Sequence, residues 1–143
     1  MLVLVAPSCA DVPTEVSGRE QREITFTVVS EFLKRLNPDD FAVIYLSDEF
    51  LQFSIDSAFI AKFSSRTGSL QIGRRDEVAV SYDIMPEGTL LLEPCAPRLS
   101  GWTAVQCLSF AATSSYGGQY RYELHRDALG RWVVTRKTIV WIT

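Results

Sequence analysis

At 143 residues, with 47% hydrophobic and 22% charged side chains, the chain has the size and composition of one globular domain. A domain of that length buries about two-thirds of its unfolded surface, so folding requires neither a metal nor a disulfide staple. The net charge is -3 and adjacent basic residues occur only as the pairs Lys34-Arg35, Arg74-Arg75 and Arg136-Lys137, which argues against nucleic acid as a partner, since that needs a dense positive footprint.

The first segment, Met1 to Ala10, is apolar with small residues at Ser8-Cys9-Ala10. It resembles the tail of an export signal, or a lipidation site at Cys9, yet it lacks a basic start and a longer apolar core. An unstructured start or a packed first strand is the other reading. Residues 1–18 are therefore expected to be a leader and 19–143 a single α+β domain. Export would place the protein in the periplasm or outside the cell; a cytoplasmic location stays open. With Cys9 removed or lipidated, Cys95 and Cys107 remain as a possible disulfide contributing ~3 kcal/mol; two free, buried thiols are the alternative. No stretch reaches the ~20 apolar residues of an integral membrane span.

Ser17-Gly18-Arg19-Glu20 has the form of a capping box, with Ser17 accepting a backbone N–H and Glu20 reaching back. Beyond it Ile24, Val28, Phe32 and Leu36 recur every fourth residue, widened by Val29 and Leu33, which predicts an amphipathic helix. Asn37-Pro38 stops it, because the residue before proline disfavours helical angles. Phe41 to Leu46 is β-branched and apolar, fitting either a strand or a short second helix capped by Asp39 or Asp40. Glu49 to Phe53 alternates as a short strand, and Asp48 suits a cap or turn. Ser54 to Ser65 carries Ile55, Phe59, Ile60 and Phe63 at helical spacing, with Ser54 or Asp56 as cap.

From Glu77 the period becomes two, with Val78, Val80, Tyr82 and Ile84 on one face and Ala79, Ser81 and Asp83 on the other. Pro86-Glu87-Gly88 predicts a turn, Thr89 to Glu93 a strand, and Pro94 to Gly101 a loop. Trp102 to Thr113 is the next strand, Tyr116-Gly117-Gly118 a turn, Gln119 to Arg126 a strand, Asp127 to Gly130 a turn, and Arg131 to Thr143 the last strand. Short connections favour an antiparallel meander.

The run Phe32-Leu33-Lys34-Arg35-Leu36-Asn37-Pro38-Asp39-Asp40-Phe41, then Tyr45-Leu46-Ser47-Asp48-Glu49-Phe50, resembles the NTF2-like superfamily. That family places a long helix, a turn with Asp, a short helix and an acidic pair opening the first strand in this order. The ending, from Tyr120 through Trp132 to Trp141, is similar to its last hairpin, and the likeness spans about residues 20–143. It implies N-terminal helices packed on a strongly bent antiparallel sheet, a cone with an apolar pocket at its open end. Such folds host isomerases, dehydratases, ligand-binding proteins and dimerisation or accessory domains, so the fold alone selects none of them.

His125, the only histidine, is a candidate general base, though its strand neighbours Arg121 and Glu123 point to a solvent face, with Tyr120, Tyr122 and Leu124 opposite. Asp83 is a second candidate acid or base if a pocket holds it. Tyr45, Tyr82, Trp102 and Trp132 are candidate pocket residues. Trp141 and Ile139 share one strand face and fit a homodimer surface. One histidine and three dispersed cysteines give no metal-ligand spacing, and no motif calls for a cofactor. The leading expectation is a non-catalytic domain that binds a small apolar ligand or acts as an accessory module. The alternative is a cofactor-independent acid/base enzyme joining Asp83, His125 and a tyrosine; a structural homodimer is the third reading.

Overall fold

The computed structural model describes residues 14–63, 71–74, 87–113 and 116–143. Helix α1 runs Thr14–Lys34 and turns the predicted stripe inward: Ile24, Val28 and Val29 are fully buried, Phe32 and Leu33 nearly so. It begins before Ser17, so no capping box opens there. The Glu20 carboxylate instead crosses to the last hairpin of the chain.

Beyond Lys34 the helix tightens, the Arg35 and Leu36 N–H groups donating to the Phe32 and Leu33 carbonyls. Asn37 then caps a single 3-10 turn, Pro38–Asp40, by accepting the Asp39 N–H at 3.1 Å. Asp39 and Asp40 lie inside this turn and cap no helix over Phe41 to Leu46, and the missing Pro38 N–H costs nothing in a first turn. Of the two readings for Phe41 to Leu46, the β-branched residues form a strand, β1 (Val43–Leu46).

The strand expected over Glu49 to Phe53 does not form. Asp48 holds that segment in turns, its Oδ2 accepting the Ile55 N–H at 2.8 Å, while Ser47 Oγ accepts from Glu49. Local hydrogen bonds to short polar side chains outcompete a brief alternating pattern. Helix α2 is only Ser57–Ala61, capped by Asp56 through the Phe59 N–H at 2.9 Å, and it buries Phe59. A strand unforeseen from the sequence, β2 (Gln71–Arg74), follows. The strand predicted across Val78 to Ile84, with Tyr82 and Asp83, lies outside the described residues.

The remaining strands are β3 (Thr89–Pro94), β4 (Arg98–Ser100), β5 (Thr103–Thr113), β6 (Tyr116–Arg126) and β7 (Trp132–Ile142). Among the described residues, with β1 and β2, they form one seven-stranded sheet in the order β2-β1-β3-β5-β6-β7, with β4 also pairing with β5. Strand β1 lies parallel to β2 and β3, whereas every other pairing is antiparallel. The fold is thus mixed α+β with an antiparallel-dominated sheet, not an antiparallel sheet throughout. Strand β3 is buried at every position, as befits a strand with parallel pairing inside a sheet. The expected loop Pro94 to Gly101 contains β4.

Gly117 and Gly118 are not a turn; they sit inside β6 opposite Ala111 and Phe110. A side chain at Gly118 would place its Cβ 2.8 Å from both Phe110 Cζ and the Trp141 carbonyl, so close packing, not a bend, demands glycine. The Asp127 to Gly130 turn forms as expected, with Gly130 at φ 80° and the Asp127 carboxylate accepting the Leu129 and Arg131 N–H groups, each at 2.9 Å.

The helix packs over one face of the sheet, where Ile44, Leu46, Leu90, Leu92, Leu108, Tyr122 and Leu124 join its stripe in one core. A register shift in β7 corrects one expectation. Ile139 stands opposite Tyr120 while Trp141 stands opposite Gln119, so the inserted residue sends the two side chains to opposite faces.

Candidate functional site

Where the end of α1 meets the middle of the sheet, the fold leaves an open cleft of about 570 Å³. Its wall on the helix side is Phe32 and Leu36, continued by Asn37, Asp40 and Phe41 of the 3-10 turn and its exit. The sheet supplies Leu90, Phe110, Ala112, Tyr116, Tyr120 and Lys137. Cross-strand geometry explains why aromatic rings gather here. Phe110 and Tyr120 face the helix from adjacent strands and stack with centroids 5.3 Å apart, Phe32 lies 5.6 Å from Phe110, and Tyr116 lies 6.1 Å from it. The bare Cα of Gly118, opposite Phe110, gives that ring its room.

The rim is polar. Arg35, Asp40 and Lys137 are exposed there, and the Lys137 ammonium sits 4.3 Å from the Tyr120 ring centre. Beneath Tyr120, the Tyr122 hydroxyl is fully buried; desolvation first, then the neighbouring Tyr120 and Glu31, push its pKa up well above that of an ordinary phenol. It therefore stays protonated at neutral pH. The cleft has an apolar aromatic floor and a charged lip, which suits holding an apolar body by area and orienting a polar end.

The sequence-derived candidates among the described residues fall elsewhere. His125 is exposed on the sheet face away from the helix, opposite Val133 and Thr103, with Arg121 and Glu123 on the same side. Tyr120 and Tyr122 occupy the opposite face, so His125 does not share the cleft. Asp83 and Tyr82 lie outside the described residues. Tyr45 projects from the outer face of β1, its ring covering Gly73. Trp102 is 61% exposed at the start of the β5 hairpin, whereas Trp132 is 6% exposed. Both tryptophans flank the Arg126 guanidinium, which lies 4.7 Å from the Trp132 ring centre and 5.7 Å from that of Trp102. Glu20 closes this group, accepting from Arg126 Nη2 at 2.7 Å and from Trp132 Nε1 at 2.8 Å. Among the described residues, no group of three or more His, Cys, Asp or Glu is placed to hold a metal ion, and no helix is long and apolar enough to cross a membrane.

Sequence reasoning missed Phe110, Tyr116 and Tyr120 as cleft residues. The available signal was their period-two spacing around Gly117-Gly118, had the glycines been placed within the strand. No family model, curated protein or solved structure matches the chain.

Proposed function

We propose that this chain is a binding or accessory domain of NTF2-like, cone-shaped type that takes a small, mainly apolar ligand in the cleft between α1 and β5–β6. The observation that carries this reading is the aromatic floor of Phe32, Phe110 and Tyr120 under a cleft of about 570 Å³, within the ~300–1,000 Å³ range of small-molecule sites. The ligand's apolar part stacks on Phe110 and Tyr120, and its polar end meets Arg35, Asp40 and Lys137. Binding without turnover is favoured over acid/base catalysis because His125 projects from the far face of the sheet. The test is titration of an apolar fluorescent naphthalene sulfonate into the native chain and into Ala112→Trp, which fills the cleft from β5. Saturable binding to the native chain that falls at least tenfold in the variant, with an unchanged melting curve, is the expected result. Equal binding by both removes the cleft as the site.

Strand β7 favours a second, compatible reading, self-association through the sheet. It ends the strand order and carries the half-exposed run Ile139, Val140, Trp141 and Ile142. A concentration-dependent dimer mass that Trp141→Asp converts to monomer supports it; a monomeric native chain rejects it.

A further inference from the structure

The two described cysteines face one another across the sheet. The β3–β5 register runs from Leu91 opposite Ala111 to Pro94 opposite Leu108. One step further puts Cys95 opposite Cys107, and the Cys95 N–H donates to the Cys107 carbonyl at 2.9 Å, extending the ladder by that residue. Directly opposed residues joined by such a bond have Cα atoms ~5.5 Å apart, inside the ~4.4–6.8 Å that a disulfide spans. Alternation then sends both side chains the same way: Leu92 and Leu108 enter the core beneath the helix, so Cys95 and Cys107 leave from the opposite face.

That face is reachable. Both thiols are free and half-buried, and both line an open groove of about 540 Å³ together with Arg98, Gln119 and Arg121. Arg121 stands opposite Cys107 on β6 and shares its face. Two guanidinium groups lining the groove give it a positive character that attracts an anionic thiol reagent.

We propose that Cys95 and Cys107 form a reversible thiol/disulfide site whose co-reactant is an anionic low-molecular-weight disulfide of the glutathione class. In the forward step, the thiolate of one cysteine attacks a sulfur of the small disulfide. The small S–S bond breaks, one small thiolate leaves and takes up the proton shed by the cysteine, and a mixed disulfide remains. The second cysteine's sulfur then attacks the protein sulfur of that mixed disulfide, closing Cys95–Cys107 and expelling the second small thiolate, which takes the second proton. The protein dithiol is oxidised by two electrons and the small disulfide is reduced to two thiols. Burial, with Cys107 and Glu93 nearby, pushes the Cys95 thiol pKa up, so exchange at neutral pH is slow and the test is run to equilibrium. Oxidation ties the segment leading to β4 against β5 and fixes one wall of the groove. This site is on the face away from the ligand cleft and stands or falls independently of it.

The experiment uses the full chain carrying Cys9→Ser, which leaves only these two thiols. The protein is equilibrated across glutathione buffers from reducing to oxidising, alkylated, weighed intact and digested with trypsin. Cleavage after Arg98, the only basic residue between the two cysteines, separates them unless a bond joins them. The expected result is that both thiols vanish together and a linked Cys95–Cys107 peptide pair appears, reverting with excess reduced glutathione. In the Cys95→Ser chain, Cys107 is expected to hold glutathione as a mixed disulfide at least tenfold longer than the parent does. Accumulation of doubly glutathionylated parent, or full alkylation across the whole range, overturns the proposal.

Discussion

Replacing Glu20 by Ala tests whether the start of α1 is fastened to the last hairpin. The Glu20 and Arg126 side chains are only 21% and 27% exposed, and one carboxylate oxygen serves both Arg126 Nη2 and Trp132 Nε1. Arg126 Nε is already buried without a partner, so the guanidinium has little hydrogen bonding in reserve. A charge-assisted hydrogen bond contributes ~1.5–3 kcal/mol and a stranded buried N–H costs ~1–3 kcal/mol. Because Arg126 keeps a quarter of its surface in water, the lower ends apply, and the loss is about 2.5 kcal/mol. For a chain of this length that is a fall in Tm of roughly 10 °C. Glu20→Gln keeps an acceptor for Trp132 but not the charge, and loses about half as much. Urea denaturation of Glu20→Ala, Trp132→Phe and the double variant measures the coupling, expected at about 1 kcal/mol or more. Arg19→Ala is the control, because the Arg19–Glu23 pair is solvent-exposed and 3.6 Å apart. If Glu20→Ala destabilises no more than that control, the fastening has no energetic weight.

Two further substitutions probe the sheet and its last turn. Gly118→Ala forces a methyl to within 2.8 Å of the Phe110 ring and the Trp141 carbonyl; a loss of ~1–3 kcal/mol with weakened naphthalene sulfonate binding is expected, and an unchanged urea midpoint contradicts it. At Asp127, the hydrogen bond from the Arg131 N–H, with that from Leu129 and the Arg131 side chain, holds the carboxyl below the usual carboxylate range. Its stabilisation is therefore complete above the unfolded value of about 4 and disappears as pH falls through the lower native value. Asp127→Ala should accordingly be less stable than the native chain at neutral pH and approach it in strong acid. A stability gap that does not narrow between pH 7 and about pH 2 refutes this.

Much of the fold was legible because its signals are local. The four-residue spacing of Ile24, Val28 and Phe32 produced the buried stripe of α1, and the alternation from Gln119 to Arg126 put Tyr122 and Leu124 inside and His125 outside. Asp127 and Gly130 announced their turn by type. What failed depended on partners distant in sequence. Glu20 fits a capping box locally, yet its partners Arg126 and Trp132 lie more than a hundred residues away. Gly117-Gly118 looks like a turn until the Phe110 ring opposite claims the space. The parallel pairing of β1 leaves no mark within β1 itself; the trace is in Leu90-Leu91-Leu92, apolar at every position where an alternating strand would be half polar. The cleft was hidden for the same reason, since its rings come from α1, β5 and β6 and converge only once the register is set.

The union of Glu20 with Arg126 and Trp132 also dictates an order of events during synthesis. Helix α1 emerges from the ribosome long before the hairpin that fastens it, and the strands that cover its apolar face, β5 to β7, emerge last. A nascent chain therefore carries α1 without its β5–β7 cover until those strands are made, the situation that invites chaperone binding or off-pathway association. Completion of the native state waits on these long-range closures, so the domain is expected to fold only once β7 has been made, and slowly for its size.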